Sequence, residues 1–204
     1  VELIGIEGSD VTLDTQTSTL GPNSRGRAII TDCSFHDISL DTDYLTLLIV
    51  KCSLSGTLTG RHGKVIGNTI AENIIINDEP NVGIGDTILV KANKVSQMIQ
   101  IVSDDHSMII QNNVCKRLKL GKTTYSTLLN YLISNNTINE TGGDNSYTSG
   151  STWSLQSGLI NINTSASNLS NILIVNNKGI LSSNIYRLGS SYDRNFYSLV
   201  GVNR

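Results

Sequence analysis

An internal repeat constrains the fold of this chain more than any other feature of its sequence. An apolar residue recurs three positions before a small anchor residue, and in most copies another apolar residue stands two positions after it. The anchors fall at positions 9, 33, 52, 68, 93, 112, 136, 158 and 177, so 168 residues make eight intervals that average 21 residues. A sustained period of this length is typical of a solenoid.

This repeat predicts an all-β fold, a right-handed single-stranded parallel β-helix of about nine coils. Each coil would turn one apolar strand residue inward before a corner and another after it, and successive coils would stack about 4.8 Å apart. A leucine-rich repeat is excluded because no LxxLxL consensus recurs, and a propeller blade needs about 40 residues. A further apolar pair six and eight positions after the anchor marks another strand, as in Ile74 and Ile76, Ile99 and Ile101, and Leu118 and Leu120.

The anchors predict a buried ladder along one column of the solenoid. Asparagine tolerates the left-handed backbone conformation of a tight corner, and its amide can bond to the equivalent amide in the next coil. Two cysteines share the column, and because stacked parallel side chains rarely present the torsion of a disulfide, free thiols are predicted. The predicted ladder consists of Cys33, Cys52, Asn68, Asn93, Asn112, Asn136 and Asn177.

Composition excludes several classes of partner. Charged residues make up 16% of the chain and the net charge is -2, so no broad basic surface for nucleic acid is expected. No apolar run reaches the length of a membrane-spanning helix. Three cysteines without metal-ligand spacing predict neither a metal site nor a cofactor. The start at Val1 and Glu2 leads us to expect a segment of a longer chain.

The ladder and the Ser-, Thr- and Asn-rich surface resemble the β-helical parts of bacteriophage tail spikes, tail fibres and appendage proteins. The resemblance covers residues 1 to 185 and implies a virion tail or appendage component outside the cell, with structural and host-surface glycan receptor-binding roles. It also implies a homotrimer that contacts cell-surface polysaccharide and other virion proteins. Two alternatives stay open: a tailspike-type polysaccharide depolymerase, hydrolase or lyase, and the passenger domain of a secreted bacterial adhesin.

Pectinases share this architecture, but their sequence signatures do not match. The WxDH and RxPxxR motifs of pectate lyases are missing, and of the polygalacturonase elements only Asp104-Asp105 is present. The pectinase families are therefore unlike this chain in the residues that carry their chemistry.

The sequence divides into residues 1–184, predicted to be the β-helix domain, and residues 185–204. The second segment holds Tyr186, Tyr192, Phe196 and Tyr197, four of the chain's aromatic residues. We expect it to be either a cap over the last coil or a segment that contacts other subunits, since both roles need apolar surface.

Acidic residues recur ten to twelve positions after several anchors. Carboxylates one or two coils apart would lie roughly 5 or 10 Å apart, which spans the separations that glycosidases use. Asp78 or Glu79 is therefore a candidate catalytic partner for Asp104 or Asp105. The alternative is ordinary turn chemistry, because Asp bonds to its own backbone in turns. His36 and His106 have no Ser or Cys partner that sequence can assign, and both are predicted to be exposed turn residues.

A loop of residues 141–152, rich in Gly, Ser, Thr and Asn, precedes the single tryptophan. Aromatic faces stack on sugars and amides bond to sugar hydroxyls, so Asn145, Tyr147 and Trp153 are candidate glycan-binding residues. The alternative is a flexible connector between two coils.

Overall fold

The computed structural model of the chain describes backbone at residues 1–13, 26–40, 45–77, 87–103, 106–122, 130–138, 160–164, 171–179, 186–189 and 197–200. Within these ranges, the regular structure consists of β-strands, which are numbered β1 to β24 along the chain. The all-β prediction is confirmed for this part of the chain.

The strands form three sheets, here named A, B and C. Sheet A contains β1 (Glu2–Ile4), β3 (Gly26–Thr31), β6 (Leu45–Val50), β9 (Gly63–Ile66), β12 (Ile88–Lys91), β15 (Met108–Gln111), β18 (Asn130–Ser134), β21 (Asn171–Val175) and β24 (Tyr197–Val200). Sheet B contains β4 (Ser34–Phe35), β7 (Ser53–Leu54), β10 (Thr69–Ile70), β13 (Lys94–Val95), β16 (Val114–Cys115), β19 (Thr137–Ile138) and β22 (Lys178–Gly179). Sheet C contains β2 (Asp10–Leu13), β5 (Asp37–Leu40), β8 (Leu58–Gly60), β11 (Ile74–Asn77), β14 (Met98–Val102), β17 (Arg117–Lys122), β20 (Ile160–Thr164) and β23 (Tyr186–Gly189).

Successive strands visit the three sheets in turn. Strand β3 belongs to sheet A, β4 to sheet B and β5 to sheet C, and β6 then returns to sheet A beside β3. The strand pairs are parallel, as between β3 and β6 or between β11 and β14. This order is consistent with a parallel β-helix. The right-handed closed solenoid and its number of coils stay predictions.

Each corner between sheets A and B contains one residue in the left-handed backbone region. These residues have φ between 53° and 70°, and each directly precedes the residue in the ladder column: Gly5, Asp32, Lys51, Gly67, Ala92, Asn112, Asn135 and Asn176. Of the asparagines predicted to form the ladder and to take this conformation, only Asn112 takes it; the prediction is wrong for Asn68, Asn93, Asn136 and Asn177. The left-handed residue turns the chain, and the residue after it projects inward.

The buried ladder connects the repeats through bifurcated hydrogen bonds. Asn68 donates its backbone N–H and its Nδ2 to Oδ1 of Asn93, at 3.0 and 2.9 Å. Its Nδ2 also donates to the carbonyl oxygen of Ile49, at 3.2 Å. The same pattern recurs from Asn93 to Asn113, from Asn113 to Asn136 and from Asn136 to Asn177. At the other end, the backbone N–H of Cys52 donates to Oδ1 of Asn68 at 2.8 Å.

Two predicted anchors are corrected by these hydrogen bonds. Asn113 rather than Asn112 occupies the ladder, because Asn112 is exposed and provides the left-handed corner. In the first repeat the N–H of Ile6 contacts Sγ of Cys33 at 3.4 Å, so Ile6 stands where Ser9 was predicted. Asn136 bonds directly to Asn177, which is 41 residues away. The copy predicted around position 158 lies outside the described residues.

The interior is filled by inward-facing aliphatic side chains from all three sheets. The six residues predicted from the second apolar pair are fully buried: Ile74, Ile76, Ile99, Ile101, Leu118 and Leu120. Cys33, Cys52 and Cys115 are buried free thiols, which confirms the absence of a disulfide between Cys33 and Cys52. The period-two alternation of each strand therefore produces a single apolar core.

Two strands lie in the segment that was predicted to form a cap or a subunit contact. Strand β23 pairs with β20 in sheet C, and β24 pairs with β21 in sheet A. The described backbone of this segment thus extends two of the sheets. Its role as a cap or a contact stays a prediction.

Candidate functional site

The residues predicted to bind or cleave a glycan lie outside the described part of the chain. They are Asp78, Glu79, Asp104, Asp105, Asn145, Tyr147 and Trp153. Their roles stay predictions.

The strands that precede the predicted carboxylates are adjacent and in register. Asn77 ends β11, Val102 ends β14, and the two residues are register partners in sheet C. Asp78 directly follows Asn77 in the sequence, and Asp104 comes two residues after Val102. The chain therefore leaves sheet C at the same level in two neighbouring repeats, just before each acidic pair.

Polar side chains line the corner between sheets B and C in successive repeats. This polar corner row comprises Asp10, His36, Asp37, Ser55, Thr57, Glu72, Gln97 and Lys116. Its members come from the short connections between the two-residue strands of sheet B and the strands of sheet C, or from the first residue of a sheet C strand. Short corners keep these side chains at equivalent places from one repeat to the next.

Hydrogen bonds join members of the polar corner row across neighbouring repeats. Nδ1 of His36 lies 2.8 Å from Oγ of Ser55, and Oγ1 of Thr57 donates to Oε2 of Glu72 at 2.9 Å. Further along, Nζ of Lys116 donates to Oε1 of Gln97 at 3.1 Å. The row thus presents hydroxyl, carboxylate, amide and ammonium groups, each held by a neighbour in the next repeat.

Asp37 is held in the row by a close backbone approach. Its Oδ1 accepts a hydrogen bond from the N–H of Thr57 at 2.6 Å. A Cβ atom at Gly56 would lie 2.0 Å from the same oxygen, so only glycine leaves room for this carboxylate. Gly56 thus provides the space for the Asp37 carboxylate of the preceding repeat, and Thr57 provides its hydrogen-bond donor.

Ser55, His36 and Asp37 lie close together, but their geometry is not that of a catalytic triad. Nε2 of His36 is 4.0 Å from Oδ2 of Asp37, which is too long for a hydrogen bond. The side chains of His36 and Asp37 are 56% and 46% exposed, so water surrounds both. A triad needs a base oriented by a hydrogen-bonded third group, and this cluster does not provide it. The Ser55 partner of His36 was missed because it lies in another repeat.

His62 and His106 form a buried stacked pair. Their ring centroids are 5.5 Å apart and their planes differ by 2°. Each residue is 1% exposed, so the prediction that His106 is an exposed turn residue is wrong, whereas His36 is exposed as predicted. The backbone N–H of His106 donates to Oγ of Ser103 at 3.1 Å, which fixes the corner after β14.

The thiols of Cys52 and Cys115 are buried and are poor nucleophiles. Burial raises the pKa of the Cys115 thiol from 9.0 to about 12. Burial also raises the pKa of Cys52. A thiol that keeps its proton at neutral pH is inert, so these cysteines contribute packing rather than chemistry. Among the residues whose placement is described, no group of three His, Cys, Asp or Glu side chains could hold a metal ion.

Comparison with known proteins identifies no relative of this chain. No family model, no curated protein and no solved structure matches it. In the described ranges, no helix has the length and apolar character to cross a membrane.

Proposed function

We propose that this chain is the β-helical part of a phage tail spike, tail fibre or appendage protein, with a structural role and a role in binding host-surface glycan. In this proposal the three sheets close into a right-handed solenoid on the virion surface. The exposed polar corner row is the observation that carries the proposal.

The chemistry of the row supports glycan binding. Sugar hydroxyls both donate and accept hydrogen bonds, and the row offers acceptors at Asp37 and Glu72 and donors at Ser55, Gln97 and Lys116. Contacts between repeats, such as Thr57 to Glu72, restrict the side chains before a ligand arrives. Such restriction lowers the entropic cost of binding. Parallel strands about 4.8 Å apart provide a row that an extended polymer can follow.

An outward apolar row on sheet A supports the proposed homotrimer. Leu89, Ile109, Leu132 and Leu173 are register partners in four adjacent strands. All four are partly exposed, whereas the inward-facing residues that follow them in sequence, Val90, Ile110, Ile133 and Ile174, are buried. Another copy of this chain has the same strand spacing and could pack against this row along its length. Contacts of this kind are typical of permanent subunit interfaces.

The test is retention of the full chain on immobilised capsular polysaccharide, lipopolysaccharide and teichoic acid, measured by biolayer interferometry. We expect at least one polymer class to bind and Glu72→Gln and Lys116→Ala to weaken binding roughly tenfold, as for loss of a hydrogen bond to a charged group. Lys91→Ala is the matched control, because Lys91 is an exposed lysine on sheet A. Absence of retention on all three polymers, or equal loss in the control, would overturn the glycan-binding proposal.

A polysaccharide depolymerase is the second candidate function. The register match of Asn77 and Val102 favours it, because two acidic pairs follow these neighbouring positions in the sequence. One carboxyl group would act as the acid and the other as the nucleophile or base. Polymer length after incubation, followed by size-exclusion chromatography, tests this role. Shortening that is lost in Asp78→Asn and Asp104→Asn would support it, and intact polymer with retained binding would exclude it.

A further inference from the structure

A cavity of about 380 Å³ opens on the outward side of sheet A, away from the polar corner row. It crosses β3, β6 and β9 and reaches the residue before β12. Among the described residues, its lining includes Arg27, Ile29, Thr46, Leu48, Lys64 and Thr87. This volume lies at the lower end of the range for small-molecule sites, which is about 300 to 1,000 Å³.

The cavity lies beside an unusually short corner between sheets C and A. Two residues, Arg61 and His62, connect β8 to β9, whereas ten residues connect β11 to β12. Gly63 is the register partner of Leu47, whose side chain is buried. Because side chains alternate between the two faces of a strand, the residue before Gly63, His62, would be expected to face outward, level with Thr46. His62 is instead buried against His106. The cavity lies at this level on the outward side of sheet A, where Thr46 and Gly63 both line it.

The lining is cationic and partly apolar. Arg27 and Lys64 are exposed cations, and the lining residues that the structure describes include no acid. Thr46 and Thr87 add two hydroxyl groups at intermediate exposure. A guanidinium pairs with a carboxylate through two parallel hydrogen bonds, and an ammonium adds a point charge. The matching ligand carries a negative charge and several hydroxyl groups.

The apolar part of the lining refines the class of ligand. Ile29 and Leu48 are register partners on adjacent strands, and both are partly exposed. Aliphatic side chains can pack against the C–H face of a pyranose ring, whereas a free inorganic anion gains nothing from them. Lys64 is the register partner of Leu48 on one side and of Leu89 on the other. It therefore lies between the apolar pair Ile29 and Leu48 and the outward apolar row that begins at Leu89. The cavity is therefore distinct from the surface proposed for subunit contact.

We propose that this cavity binds one acidic sugar residue, such as a uronic acid, of a host-surface polysaccharide. The proposal deepens the glycan-binding function and rests on it. Arg27 and Lys64 bind the carboxylate, Thr46 and Thr87 bond to ring hydroxyls, and Ile29 and Leu48 contact the apolar face of the ring. Binding weakens at high salt because the cations are exposed to solvent.

The test is titration of the full chain with glucuronic acid, glucose and inorganic phosphate, followed by amide chemical shifts. We expect saturable shifts at Thr46, Gly63 and Lys64 with glucuronic acid at a Kd on the order of 1 mM, and none with glucose. Arg27→Gln and Lys64→Gln should each weaken this binding roughly tenfold, because each removes a charge-assisted hydrogen bond. Lys91→Gln is the control on the same sheet and should bind as the wild type does.

Three results would overturn the proposal: equal shifts with glucose and glucuronic acid, unchanged binding in both variants, or binding of phosphate without glucuronic acid. Far-UV circular dichroism melts confirm that each variant is folded before its binding is compared. Polymer retention that depends on Glu72 and Lys116, without glucuronic acid binding, would reject the cavity and leave the proposed function standing. Glucuronic acid binding at the cavity without retention on any polymer would support the cavity as a site and would reject the proposed polysaccharide-binding function.

Discussion

Asn93 directs both its backbone N–H and its Nδ2 to a single oxygen, Oδ1 of Asn113, at 3.0 Å each. Both residues are buried, and the Nδ2 of Asn113 in turn donates to Oδ1 of Asn136 and to the carbonyl oxygen of Val90. One side chain therefore satisfies two buried donors from the repeat before it. Buried polar groups without such partners are costly, so the ladder holds neighbouring repeats in one register.

Asn113→Ala should lower the free energy of unfolding by roughly 2–4 kcal/mol, because two buried donors of Asn93 lose their acceptor. Asn112→Gly is the matched control and should change stability little, since Asn112 is exposed with φ of 57° and glycine adopts this conformation readily. Urea unfolding followed by circular dichroism measures both. A larger loss in Asn112→Gly than in Asn113→Ala would contradict the ladder register.

Gly63→Ala should be severely destabilising, by more than about 3 kcal/mol. Gly63 has φ of 139°, and an added Cβ would lie 2.4 Å from the backbone oxygen of Leu47. Gly67→Ala is the comparison, because Gly67 has φ of 70° and its nearest neighbour would be Cγ of Lys51 at 3.9 Å. That change should cost only about 1–2 kcal/mol, the strain of a left-handed alanine. Similar melting temperatures for the two variants would contradict the close approach at Leu47.

His62 and His106 should show energetic coupling although 44 positions separate them in the sequence. A double-mutant cycle with His62→Ala and His106→Ala should give an interaction energy of about 0.5–1.5 kcal/mol, as for other stacked rings. A second cycle that pairs His36→Ala with His106→Ala should give none, since His36 is exposed and contacts Ser55. Strict additivity in the first cycle would show that the stack contributes nothing.

Cys115 should make stability depend on pH in the alkaline range. Its pKa is raised from 9.0 to about 12, so the folded state keeps the thiol proton where the unfolded state releases it. This contribution is fully present below pH 9.0 and is lost as the pH rises toward about 12, with a slope of at most about 1.4 kcal/mol per pH unit. Urea unfolding of the wild type and of Cys115→Ala across this range isolates the slope. An identical slope in both proteins would contradict the assignment.

Ile109→Glu and Leu132→Glu should each reduce self-association, because both place a charge in the outward apolar row of sheet A. Val114→Glu is the matched control, since Val114 is 37% exposed and lies on sheet B. Sedimentation velocity measures the oligomeric state of the three variants and the wild type. A wild type that is monomeric, or a control that dissociates as readily as the two variants, would reject sheet A as the subunit contact.

The register of the third ladder asparagine shows where sequence reasoning reached its limit. In this copy of the repeat, each key position has two adjacent candidates, so the pattern fits equally well in either of two registers. The candidate pairs are Ile109 and Ile110, Asn112 and Asn113, and Val114 and Cys115. In the folded chain, Ile110, Asn113 and Cys115 are buried. Their partners in the other register are more exposed: Ile109 is partly exposed, and Asn112 and Val114 are exposed. Only the hydrogen bonds to the neighbouring repeats distinguish the two, because a one-residue slip exchanges the faces of a strand.

The sequence by itself determined the strands, the parallel sheets and the composition of the core, because period-two alternation and a repeated anchor are local properties of the chain. It did not reveal the pairs His36 and Ser55 or His62 and His106, nor the cavity beside Gly63. Those features join residues from different repeats, and their geometry depends on corner lengths that vary from one repeat to the next. Contacts of this kind exist only once the strands are stacked, so the tertiary structure decided them.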